Sequence, residues 1–188
     1  MTRLPELRKA VGDRALLRAL HFFSENRRMD AMLKVLQEMN APSLEAIKDA
    51  NTPRMKKIVK RDEYAASVIE EFLAIIRESG DSSWELLQNI YSPRNPAEQG
   101  LTLALALTRN FLEGEGDYRV RDGGLAALTR YMGQGACRVH GGGFAGTIQA
   151  YVPMERLEDY RKLMEGVFGA GALTVLRIRA LGAIEVFP

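Results

Sequence analysis

Ala136-Cys137-Arg138-Val139-His140-Gly141-Gly142-Gly143-Phe144-Ala145-Gly146-Thr147-Ile148-Gln149-Ala150-Tyr151-Val152 is the stretch on which the fold turns. Before Gly133 the apolar residues recur at helical spacing; from Ala136 onward the period is two. Ala136 to His140 alternates, Thr147 to Val152 alternates, and a glycine cluster joins them, which predicts a β-hairpin. In the first strand Arg138 and His140 share one face. Cys137 and Val139 share the other, where a small apolar cysteine is expected to be buried.

Working outward, Leu157, Tyr160, Leu163, Met164, Val167 and Phe168 line one face of a helix. Thr174 to Arg179 and Ala183 to Phe187 read as two closing strands with a tight turn near Gly182. Upstream the pattern is helical. Pro5 to Met39 carries Leu16, Leu17, Leu20, Phe23, Met32, Leu33 and Leu36, broken early by Gly12-Asp13. Ser43 and Thr52-Pro53 are helix starts. Met55, Ile58, Val59, Ala65, Val68, Ile69, Phe72, Ile75 and Ile76 predict one long helix ended by Gly80. Ser82-Ser83-Trp84-Glu85 has capping-box spacing for a short helix through Ile90. After a turn at Ser92-Pro93-Arg94, Asn95-Pro96-Ala97-Glu98 opens a helix through Leu101 to Leu107 that is apolar nearly all round and is expected to be buried. Helices followed by β-β-α-β-β define an α+β fold, a four-stranded antiparallel sheet backed by helices.

The glycine cluster admits two readings. Three adjacent glycines allow positive φ and close approach, so exposed N–H groups would form a nest for an anion such as phosphate. The same residues also make an ordinary hairpin turn with no ligand. Gly141, Gly143 and Gly146 satisfy G-x-G-x-x-G, but the dinucleotide fingerprint must open a helix, and Thr147 to Val152 alternates as a strand. No glycine-lysine-serine/threonine sequence of a Walker loop occurs.

Composition narrows the function classes. Hydrophobic residues make up 46% and charged residues 27%, an ordinary globular balance. Lysine plus arginine number 26 against 24 acidic residues, a net charge of +2. So small a bias supports neither a nucleic-acid nor a membrane-surface role. A lone cysteine, the absence of a signal-type N-terminus and the absence of a run of about 20 apolar residues lead to the expectation of a cytoplasmic, soluble protein.

Gly135-Ala136-Cys137-Arg138-Val139-His140-Gly141-Gly142-Gly143-Phe144-Ala145-Gly146 resembles the third conserved motif of the GHMP kinases, in the wording used by galactokinases. Arg18-Ala19-Leu20-His21-Phe22-Phe23-Ser24-Glu25-Asn26 is similar to the helix that opens their C-terminal domain. Glu78-Ser79-Gly80-Asp81-Ser82-Ser83-Trp84 through Asn95-Pro96, and the ending Val175-Leu176-Arg177-Ile178-Arg179, resemble further segments. The resemblance implies a GHMP C-terminal domain over residues 1–188, with a ferredoxin-like core plus N-terminal helices. It implies phosphoryl transfer from ATP, with Mg²⁺, to the C1 hydroxyl of galactose or a related sugar, in chemistry dominated by positioning and charge neutralisation. Gly141, Gly142, Gly143, Phe144, Ala145 and Gly146 would help shape the phosphate and sugar cleft.

The family's sugar-binding segment, its G-x-G-L-S-S-S-A type ATP loop and its catalytic aspartate are not found. No catalytic residue is therefore transferred, and the chain is expected to be an excised domain, a truncated product or half of a split enzyme. An N-terminal kinase domain would be its partner, and an apolar face left open by that domain would favour self-association. A non-catalytic ligand- or partner-binding module is the alternative. Residues 40–64 and 118–134 look insert-like against the family; Tyr118-Arg119-Val120-Arg121-Asp122-Gly123-Gly124 echoes the glycine motif.

Other residues carry weaker chemistry. Arg138 and His140 reach toward an anionic substrate in one reading and form a solvated or hydrogen-bonded strand face in the other. His21, among Leu20, Phe22 and Phe23, is expected to be a satisfied core histidine. Arg54, Lys56, Lys57, Lys60 and Arg61 read as a solvated basic face. Asp81, Glu85 and Glu98 suit helix N-termini. Two histidines and one cysteine without ligand spacing point to no metal site.

Overall fold

Pro5 favours a helix start, and Gly12 stops that helix about two turns into what would otherwise be a continuous apolar pattern. In the computed structural model α1 spans Leu4–Val11, and α2 restarts at Asp13 and runs to Asn40. Gly12 (φ 78) donates its N–H to the Arg8 carbonyl at 2.9 Å, while Arg8 and Asp13 pair across the break at 2.6 Å. The structure describes residues 3–40, 54–113, 135–141 and 146–177, without the side chains of 40, 54–62 and 113. Ser43, Thr52-Pro53, the side chains of the basic cluster and, of the insert-like stretches, residues 41–53 and 118–134 lie outside it.

The chain divides into two compact units, Met1–Pro153 and Met154–Pro188. The first is built on α3 (Arg54–Ser82), whose apolar residues contact helix on one side and sheet on the other. Val68 and Ile75 pack with Val35 of α2, supported by Ala31, Met32 and Phe72. Leu73 and Ile76 pack with Ala136 and the ring of Tyr151. The predicted hairpin is present as β1 (Ala136–Val139) and β2 (Ile148–Tyr151), antiparallel, with Ala136 opposite Tyr151 and Arg138 opposite Gln149. Its other face, through Cys137 and Val139, packs on Leu105 and Leu112 of α4 (Gly100–Glu113) and on Ile90. Strand β1 is thus covered on both faces, which is why Cys137 is a buried apolar filler as expected.

Several boundaries differ from the sequence expectation. Gly80 does not end α3. A Cβ built on Gly80 would stand 2.8 Å from the Cys137 carbonyl oxygen, so this glycine lets β1 approach the helix backbone. The helix continues to Ser82 and passes into a π-helical turn, Ser83–Leu87, closed by Gln88 in the left-handed region (φ 54). Ser82 caps nothing, because its hydroxyl is engaged with His21. Asn95-Pro96-Ala97-Glu98 is a turn, with Glu98 N–H to the Asn95 carbonyl, and precedes the helix instead of opening it. The Gln99 side chain holds that turn through Ser92 and Asn95, which moves the start of α4 to Gly100. Within α4, Leu105, Thr108 and Leu112 are buried but Leu103 is exposed, so burial is one-sided where the apolar run predicted it all round.

The second unit holds a short 3-10 turn, Met154–Arg156, and α5 (Leu157–Phe168). On the expected face Tyr160 and Met164 are buried, while Val167 and Phe168 are exposed. Residues 172–177 are neither helix nor strand, so the expected strand from Thr174 has no ladder over its described part. The rest of it, and the expected strand 183–187, lie outside the described residues. What is established is a mostly helical fold with a two-stranded antiparallel sheet, of α+β character. Among the described residues no helix is long and apolar enough to cross a membrane.

Gly80→Ala tests the helix–strand contact. Alanine would improve helix propensity by about 1 kcal/mol, but overpacking against a backbone carbonyl costs about 1–3 kcal/mol. The expected outcome in urea unfolding is a net loss of stability, with the midpoint lowered and the slope unchanged.

Candidate functional site

On α2, His21, Glu25 and Arg28 follow one another at i, i+4 and i+7, so all three project from one face. On α3, Ser79 and Ser82 are spaced i, i+3. The packing of the two helices brings these stripes together beside β1. His21 Nδ1 and Ser82 Oγ are 2.9 Å apart. Ser79, almost wholly buried, donates its hydroxyl to Glu25 Oε2 at 3.0 Å, and Arg28 Nε donates to Glu25 Oε1 at 3.0 Å. Arg28 Nη2 is buried and has no partner. Burial pushes the Glu25 carboxyl up, but hydrogen bonds from Arg28 and Ser79, with the charges of Arg28 and Arg138, outweigh it and hold Glu25 below its ordinary value.

Arg138 enters this cluster from β1. It is half-buried, and its Nε makes one long bond, 3.3 Å, to the Val139 carbonyl. The directly opposed residue is Gln149, whose Nε2 donates to the Tyr151 hydroxyl at 2.9 Å. Burial pushes the Tyr151 phenol up, against the opposing effects of the Arg138 charge and the Gln149 bond. The Tyr151 ring stands edge-on to Phe72, centroids 5.0 Å apart, which fixes the phenol's direction.

Beyond β1 the chain turns. The His140 N–H donates to the Thr147 carbonyl at 3.0 Å, and Gly141 (φ 62) and Gly146 (φ 69) flank the tip in left-handed conformations. Gly142, Gly143, Phe144 and Ala145 lie outside the described residues. Of the candidate residues, then, Arg138, His140, Gly141 and Gly146 are brought to one hairpin end. His140, Gly141 and Gly146 are exposed there, and Arg138 sits at the root.

Two expectations change at this end of the molecule. Asp81 is not at a helix N-terminus. It sits in the last turn of α3, where its charge opposes the helix dipole, and Arg109 compensates it at 2.7 Å while stacking over Trp84 at 4.9 Å. His21 is satisfied as expected, but by Ser82, and its neighbours Leu20, Phe22 and Phe23 are exposed instead of forming core. Glu25, Arg28, Ser79, Gln149 and Tyr151 were not singled out from sequence. The i, i+4, i+7 polar stripe on α2 was the available signal for the first two.

No family model, no curated protein and no solved structure matches the chain. Among the described residues no group of three histidine, cysteine, aspartate or glutamate side chains could hold a metal ion.

The depressed Glu25 carboxyl sets a pH dependence. A group whose folded pKa lies below its unfolded value stabilises the fold above the unfolded pKa and ceases to do so as pH falls through the folded one. Starting from the ordinary value of 4.5, that window lies at and below pH 4.5. Urea midpoints measured through this range should show wild type losing stability more steeply than Glu25→Gln, with a constant difference near neutral pH. Parallel profiles would remove Glu25 from the account.

Proposed function

We propose that the chain is the C-terminal half of a galactokinase-like sugar kinase of the GHMP type. It would form one wall of the cleft in which ATP phosphorylates galactose, or a related sugar, at the C1 hydroxyl. One observation carries this reading. Residues from three of the four segments that resemble galactokinases, lying far apart in sequence, contribute to one polar cluster. Glu25 comes from the first, Ser79 and Ser82 from the second and Arg138 from the third.

The chemistry at the hairpin suits an oxyanion. Arg138 supplies positive charge at the root, and the left-handed glycines at the tip expose backbone without a Cβ in the way. In the complete enzyme the nucleotide would bring Mg²⁺, which neutralises charge on the transferring phosphoryl group. This half would orient the phosphate and sugar, through Gly141 to Gly146 with Arg138 and His140, and would hold neither ATP nor Mg²⁺ alone. The ferredoxin-like fold of the GHMP C-terminal type belongs to the same reading.

An N-terminal kinase domain would cover apolar surface that α1 and α2 expose. Phe22, Phe23, Met29 and Leu33 are each more than half exposed, with Leu4, Leu7 and Val11 of α1 close to that level. So much apolar surface favours association. The reading is tested by coupled ADP release with ATP, Mg²⁺ and galactose, on the chain alone and mixed with a galactokinase N-terminal domain. Turnover in the mixture only is the expected result. A folded chain that yields none in either would leave a non-catalytic binding module as the better description.

A further inference from the structure

Cross-strand partners stand on the same face of a sheet. The register therefore places Arg138, Gln149, Ala136 and Tyr151 together on the face of the hairpin that meets α3. All three polar members of this set are half-buried, so each is partly removed from water and still reachable. Their hydrogen bonds leave donors unused. Gln149 donates to the Tyr151 oxygen, which frees the phenolic hydrogen to donate elsewhere. Arg138 spends only its Nε, on a long bond to a neutral carbonyl.

The charge balance points the same way. The Arg138 charge acts on Glu25, yet both Glu25 oxygens are already taken by Arg28 and Ser79. Among the described residues no carboxylate lies within ion-pair distance of Arg138. Arg28, Arg138 and Glu25 together leave one positive charge unbalanced at a half-buried position. A cation so placed is costly without a counter-charge, and a planar guanidinium suits a two-oxygen acceptor.

We propose that Arg138, Gln149 and Tyr151 form a binding site for a single oxyanion, a phosphoryl or carboxylate group of a ligand, on the inner face of the hairpin. Arg138 carries the charge, Tyr151 donates a neutral hydrogen bond, and Gln149 orients Tyr151. Glu25, already bonded to Arg28 and Ser79, does not touch the anion. The site lies on side chains of the strands and not on the glycine turn, so it stands whether or not the chain is half of a kinase.

The test uses the chain alone, with no nucleotide or sugar. Inorganic phosphate and acetate are titrated separately by calorimetry at constant ionic strength, with chloride as the balancing ion. Saturable binding of at least one of them is expected. Phosphate alone would assign the phosphoryl class, and acetate alone the carboxylate class. Arg138→Gln should weaken binding by about tenfold or more, the scale of one charge-assisted bidentate contact. Arg138→Lys should fall between, since it keeps the charge and loses the fork. Tyr151→Phe, which keeps the ring against Phe72, should weaken binding several-fold, and these two conservative variants carry the test if Arg138→Gln does not fold. Arg94→Gln, in the exposed turn before α4, should bind as wild type. The proposal is overturned if wild type binds neither anion at millimolar concentration, if Arg138→Gln binds as tightly as wild type, or if Arg94→Gln loses as much as Arg138→Gln.

Discussion

The first unit depends on how closely a strand can approach a helix. Cys137 places its carbonyl oxygen where any side chain at position 80 would collide with it. With glycine there, β1 lies against the last turns of α3, and Ala136 fills the space beside Leu73 and Ile76. Nearly everything of interest is positioned by that contact. It puts Arg138 on the face that meets α3 and sets the Tyr151 ring against Phe72. It also turns Cys137 and Val139 toward α4, giving the hairpin its second covered face. Apolar burial on both faces of a short strand supplies stability that a two-stranded hairpin lacks by itself.

Around that contact the polar groups form a layered set. Ser79 and Arg28 satisfy Glu25; the Arg138 charge adds to their effect on it; Ser82 satisfies His21. Buried polar groups of this kind add little net stability, but removing one partner leaves the other unpaired at real cost. Their value is geometric. They hold α2 in a fixed rotation relative to α3 and the hairpin, so that a charge from the third segment sits at a defined place. Ser82 leads directly into the π-helical turn Ser83–Leu87.

Much of the architecture was legible residue by residue. The period change at Ala136 predicted the hairpin, Gly12-Asp13 predicted the break between α1 and α2, and the alternation at Cys137 predicted its burial. Local rules failed where a distant partner claimed the same residue. Gly80 reads as a helix stop until β1 is seen against it. Ser82 reads as a cap until His21, 61 residues away, is seen to hold its hydroxyl. The candidate site was half legible. Arg138, His140 and the glycines stand in one motif, whereas Glu25, Ser79 and Tyr151 have ordinary local surroundings and acquire a role only through packing.

By itself, then, the sequence determined element type and the faces of β1, because periodicity and glycine placement act through neighbours one to four residues away. It also set the segments around Glu25, Ser79 and Arg138 far apart along the chain. Tertiary structure alone decided that these segments converge and that α3 runs through Gly80 with β1 against it. Those outcomes depend on contacts across 50 or more residues, such as the 54 between Glu25 and Ser79. Such contacts form where packing brings surfaces together, and no local preference encodes which surfaces will meet.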